Sequence, residues 1–174
     1  MKAKLRALFV LLALCIFFAL NLALLPSERP VPAALVTGIM ITNIPVSEVF
    51  ALAITNSYGL FGILNSPEGI TVLADLDGNF NAQEMRALIY LTANLPGLRR
   101  LDNFSPPEAD GIANSLARFT LILNGGMESN FTILQQSPVS DDYLLFFEEQ
   151  GSLFLISRST AEWFLRDPED YLVP

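Results

Sequence analysis

Three hydrophobic patterns succeed one another along the chain. Residues 7–25 (ALFVLLALCIFFALNLALL) are one continuous apolar run in which Asn21 is the lone polar residue. After residue 47 the apolar positions come in short runs, several alternating with polar ones, separated by turn residues, which is the pattern of half-buried strands. Twice, from Asn81 and again from Ser159, the spacing changes to that of a helix.

The strand-type runs group into two sets. EVFALAIT (48–55), LFGIL (60–64) and ITVLAD (70–75) are separated by the turn signals Asn56-Ser57-Tyr58-Gly59 and Ser66-Pro67-Glu68-Gly69, predicting a three-stranded meander. A helix follows. Asn81 and Glu84 have the spacing of a capping box, in which the cap side chain takes a free backbone N–H and the glutamate reaches back. Met85, Leu88, Ile89 and Leu95 form its apolar stripe, interrupted at Thr92, and Pro96-Gly97 ends it. A connection over 99–114 contains Ser105-Pro106-Pro107 and leads to RFTLIL (118–123), the hairpin turn Asn124-Gly125-Gly126, NFTIL (130–134), YLLFF (143–147) and SLFLIS (152–157). Residues 148–151 join the last two. Ser159 and Glu162 make a second capping box before a short helix with Trp163, Phe164 and Leu165, ending near Asp167-Pro168. The expected fold class is α+β: antiparallel meanders, each followed by a capped helix, in two ββ(β)α-like halves.

The first apolar run changes the picture of where this domain works. As a helix its 19 residues rise about 28 Å, close to the roughly 30 Å hydrocarbon core of a bilayer. A cleavable signal peptide has a shorter apolar stretch and a small-x-small site, and Val31-Pro32-Ala33 is a poor one. A retained signal anchor over 1–25 is therefore preferred to cleavage, with lipidation at Cys15 a third reading. Lys2, Lys4 and Arg6 precede the run and set the N-terminus in the cytoplasm, leaving the rest outside it. Residues 26–46 begin with PSERPVP and read as a stiff extracytoplasmic linker, and 47–174 as the α+β domain.

Charge and composition then exclude whole classes of function. Beyond residue 25 there is no lysine, histidine or cysteine, and seven arginines stand against all 18 acids, a net charge of −11. Zinc or copper sites of the usual ligand set, a cysteine nucleophile and a Ser-His-Asp triad are ruled out of that part, and so is a disulfide. A negative, lysine-free surface does not suit nucleic acid or anionic headgroups. No catalytic, cofactor-binding or metal residue is assigned.

One stretch invites a metal reading all the same. In VLADLDGNFNAQEMRALIY (72–90), Asp75, Asp77, Asn79 and Asn81 alternate as calcium ligands do. Counted from Asp75, however, the sixth and twelfth positions of a calcium loop should be glycine and a bidentate glutamate, and they are Phe80 and Arg86. An arginine repels the ion. The stretch is read as a polar connection ending in a helix cap.

The order of elements resembles the bacterial DUF4340 family of unknown function. The matching residues are Glu68-Gly69-Ile70-Thr71-Val72, residues 81–95, Gly111-Ile112 before 118–123, and 152–156 before 159–165, together covering most of 47–170. Ile70 stands where the family has tryptophan, and Ser115 where it has proline. The resemblance implies a membrane-anchored extracytoplasmic protein associated with ABC-transport components of the gliding-motility type. It carries over no catalytic residue.

The remaining candidates have plain readings. Asn103-Phe104-Ser105 and Asn130-Phe131-Thr132 fit a glycosylation sequon by chance. Tyr143, Phe146, Phe147, Phe154, Trp163 and Phe164 are read as core packing between the last hairpin and the last helix rather than a ligand pocket. Arg99-Arg100 is read as a solvated helix exit suited to the helix dipole. Two functions are thus carried forward. One is a non-enzymatic, membrane-tethered extracytoplasmic interaction domain, accessory to an envelope or ABC-transporter-type complex. The other is an exported small-ligand-binding domain or carboxylate-based hydrolase, for which Asp75, Asp77 and Glu84 would be the acids to inspect.

Overall fold

The computed structural model describes residues 38–102, 112 and 114–173. The expected anchor, the first part of the linker, Asn103 and the Ser105-Pro106-Pro107 connection lie outside the described residues. No helix among the described residues is long and apolar enough to cross a membrane.

The elements run β1 (Ile39–Met40), β2 (Val49–Asn56), β3 (Gly59–Ser66), β4 (Gly69–Ala74), α1 (Ala82–Ala93), β5 (Pro96–Gly97), β6 (Arg99–Leu101), β7 (Ala117–Leu123), β8 (Glu128–Gln136), β9 (Tyr143–Phe147), β10 (Ser152–Ile156) and α2 (Arg158–Leu165). Eight strands form one antiparallel sheet in the order β4-β3-β2-β7-β8-β9-β10-β6, and β1 pairs with β5 separately. The two expected meanders are both present. They are joined edge to edge by β2 and β7, which pair from Val49↔Leu123 to Asn56↔Ala117. Between them the chain leaves β4 at one edge, passes through α1, and enters β6 at the opposite edge.

One face of the sheet carries the core. Leu52, Ile54, Phe61, Ile63, Phe119, Leu121, Phe131, Ile133, Leu145 and Phe154 alternate onto it and are buried. α1 lies over β2 and β4, and α2 over β7 and β2. Register builds an aromatic ladder: Phe119, Phe131 and Phe147 are directly opposite one another on β7, β8 and β9, with ring centroids 4.9 and 4.5 Å apart. Phe164 of α2 stacks on Phe119 at 4.0 Å. Such pairs add about 0.5–1.5 kcal/mol each beyond the area they bury. Five of the six aromatic residues expected in the core are there or packed against it. Phe146 alternates to the opposite face, where it is buried too, and α2 rests chiefly on β7 and β2. The continuous apolar runs of β9 and β10 have this cause: Phe146, Leu153 and Leu155 are buried on one face while Leu145, Phe154 and Ile156 are buried on the other.

Thr92, which interrupts the helical stripe, belongs to the core after all. It is fully buried, and its hydroxyl donates to Leu88 O at 2.8 Å. Thr42 donates to Thr92 O at 2.7 Å and accepts from Leu95 N at 2.8 Å, while Ile41 N and Ile44 N donate to Leu95 O and Ala93 O. The last residues of the expected linker, 38–46, are thereby built into the domain, satisfying the carbonyls that α1 leaves open at its end.

Three local expectations need correction. Arg99-Arg100 is not a helix exit: α1 ends at Ala93, and the arginines lie in β6, paired with β10. The cap of α2 is Ser157, not Ser159. Its Oγ accepts from Thr160 N at 3.2 Å, because β10 ends at Ile156 and the first residue beyond the strand is already in cap position. Glu162 consequently sits a turn inside the helix and pairs with Arg158 at 2.6 Å. The cap at Asn81 does form, its Oδ1 accepting from Gln83 N at 3.0 Å and Glu84 N at 3.4 Å. Glu84 does not reach back, since the Asn81 N–H is taken by Tyr171 O at 2.8 Å.

Candidate functional site

Asp75, Asp77 and Glu84 do not assemble into an acid site. Asp75 and Asp77 are exposed, and among the described residues no three acids gather as a metal cage would need. Glu84 is half-buried, with Oε2 sealed from solvent and without a hydrogen-bond partner among the described residues. The segment between β4 and α1 is organised by the chain's far end. Val173 N donates to Asn79 O at 2.7 Å, and Phe80 forms a bridge with Leu172. Gly78, at φ 153°, passes so close to Leu172 that an added Cβ would lie 2.9 Å from its Cδ2. Of the alternating polar residues, Asn79 serves the brace through its backbone oxygen and Asn81 serves both brace and cap.

Tyr171 is the centre of that brace. It is fully buried, its hydroxyl donates to Trp163 O, and burial pushes the phenol well above its usual range, with Arg166 opposing. The Arg166 guanidinium lies 4.7 Å from the centre of the Trp163 ring. At the end of α2, Asn56 Nδ2 donates to Phe164 O at 3.0 Å and Arg166 O at 2.9 Å, closing the helix. Asn130 is likewise engaged, its amide donating to Glu149 at 2.8 Å and its oxygen accepting from Thr120 at 2.8 Å.

Two of the open grooves among the described residues bear on function. One, of 590 Å³, lies at the end of the sheet among Thr55, Tyr58, Leu116, Arg118, Tyr143 and Leu165. The other, of 300 Å³, runs beside β4 and is walled by Ile70, Val72, Gly78, Phe80, Ala82 and Met85.

The two edges of the large sheet are unlike. β6 has three residues, two of them exposed arginines, a short and charged edge of the kind that resists pairing. β4 has six residues with no charge, proline or bulge. The β3–β4 hairpin closes at Ser66↔Gly69 around a two-residue turn, so Gly69, Thr71 and Leu73 bond to β3 while Ile70, Val72 and Ala74 turn their N–H and C=O groups outward. Among the described residues these outward groups have no hydrogen-bond partner. Next to them Leu73 and Leu60 are 56% and 66% exposed on the face away from the helices. Sequence reasoning passes over this edge because strand order is not written in any one strand, although the uncharged run ITVLA was visible.

Compared with known proteins, the chain matches no family model, no curated protein and no solved structure.

Proposed function

We propose that this is a non-enzymatic, membrane-tethered extracytoplasmic interaction domain, acting as an accessory of an envelope complex. The observation that carries the reading is the 19-residue apolar run behind three basic residues, followed by a domain without lysine, histidine or cysteine. A tether of that kind confines the domain to the membrane surface, where even a weak contact gains effective concentration. The resemblance to the DUF4340 family supports an ABC-transport type of complex as the setting. The unpaired β4 edge and the exposed leucines beside it supply a place for contact.

Fractionation and N-terminal sequencing test the tether. The chain is expected in the membrane fraction with the apolar run 7–25 retained, and a soluble mature form beginning after Leu25 would overturn it. Cross-linking in intact cells, followed by purification in detergent and mass spectrometry, tests the interaction. Recovery of a defined set of envelope proteins is expected, and recovery of the chain alone would count against the reading.

A further inference from the structure

We infer that the open edge of β4 is a docking strand, and that its occupant is an extended segment of another protein with apolar or β-branched residues flanked by lysine or arginine. This deepens the interaction-domain reading and rests on it.

Three observations converge on the edge. Among the described residues the outward N–H and C=O groups of Ile70, Val72 and Ala74 are unpaired, and they are spaced as an added antiparallel strand requires. Natural sheets blunt such edges with charge, proline, bulges or brevity, and β6 is blunted while β4 is not. The 300 Å³ groove runs along the same edge on the helix side, so an added strand's side chains there would meet Phe80 and Ala82. On the opposite face they would cover Leu73, the large exposed side chain of this strand.

Charge selects the occupant. Glu68 lies in the turn before β4, Asp75 and Asp77 follow it, and all three are exposed. The first basic residue after them is Arg86. Both ends of the edge are therefore acidic, and a segment with basic flanks gains at each end. A second copy does not fit this pattern. Antiparallel β4–β4 pairing centred on Val72 sets Glu68 of one copy between Asp75 and Asp77 of the other, and like charges across a strand pair are destabilising.

The test uses the full chain in detergent and a blocked peptide, KVTITVR, with EVTITVE and an alternately N-methylated KVTITVR as comparisons. Calorimetry is expected to give saturable binding of the basic-flanked peptide, weakened about tenfold or more in each comparison. Amide exchange should slow on binding across residues 69–75. Leu73→Lys, which leaves the strand's bonds to β3 intact, should weaken binding to a similar degree, and Val72→Pro should abolish it by removing an outward N–H. Equal binding of the acid-flanked peptide, or no change in exchange with any peptide, overturns the proposal. So does protection of 69–75 without peptide in a chain that sediments as a dimer, which would give the edge to a second copy. If Leu73→Lys recovers the same cross-linked envelope proteins as the parent chain, the edge is overturned while the interaction reading stands. Recovery of the chain alone from parent cells tells against that reading instead.

Discussion

The backbone N–H of Asn81 donates to the backbone oxygen of Tyr171 at 2.8 Å, so the start of α1 is held by residues ninety positions further along the chain. The side chain of Asn81 meanwhile caps the helix from within. One residue thus carries a local role and a tertiary role through different atoms, and substitution separates them.

Asn81→Ala removes the side-chain cap and leaves the backbone bond to Tyr171. The expected cost is about 1 kcal/mol, against a few tenths for Asn81→Gly, which an N-cap tolerates. For a domain of this size the alanine variant should melt about 2–6 °C lower. An unchanged melting temperature with loss of partner recovery would make the stretch a binding site and remove its structural reading.

The position of the second cap gives a paired test. Ser157→Ala should destabilise by about 1 kcal/mol because Thr160 N loses its acceptor. Ser159→Ala, on an exposed residue inside the helix, should fall within about 0.5 kcal/mol of the parent chain. Thermal melts of the two variants decide between the caps, and the reverse order would return the cap to Ser159.

Tyr171 links stability to alkaline pH. Burial raises its phenol above the unfolded value of about 10, so the neutral form favours folding. That contribution is fully present below about pH 10 and is lost as pH rises from there toward the folded value. Tyr171→Phe should cost about 1 kcal/mol near neutrality by leaving Trp163 O without its donor. Above about pH 10 the parent should lose stability faster than the variant, so their melting temperatures converge. Parallel curves across that range would show that Tyr171 does not titrate with unfolding.

Calcium titrated into the full chain should give no heat of binding, since Phe80 and Arg86 stand at the sixth and twelfth positions and, among the described residues, Asp75 and Asp77 face solvent without a third acid to complete a cage. Saturable micromolar binding that disappears with Asp75→Ala would restore the calcium-loop reading.

By itself the sequence determined the local elements. Both meanders, both helices, the turn at Asn124-Gly125-Gly126 and the cap at Asn81 could be read because each depends on neighbours within a few residues: alternation, turn chemistry, and a side chain reaching the next helical turn. Tertiary structure decided what depends on distant partners. Arg99-Arg100 became a strand because β10 offered an edge; Glu84 was denied the Asn81 N–H because Tyr171 had taken it; Thr92 could be buried because Thr42 closed the hydrogen-bonding around it. The merging of two meanders through β2 and β7 likewise follows from burying one common face under α1 and α2. That same merging leaves β4 at the end of the sheet, where an uncharged strand legible in the sequence becomes an unpaired edge, a property that exists only once the order of strands is set.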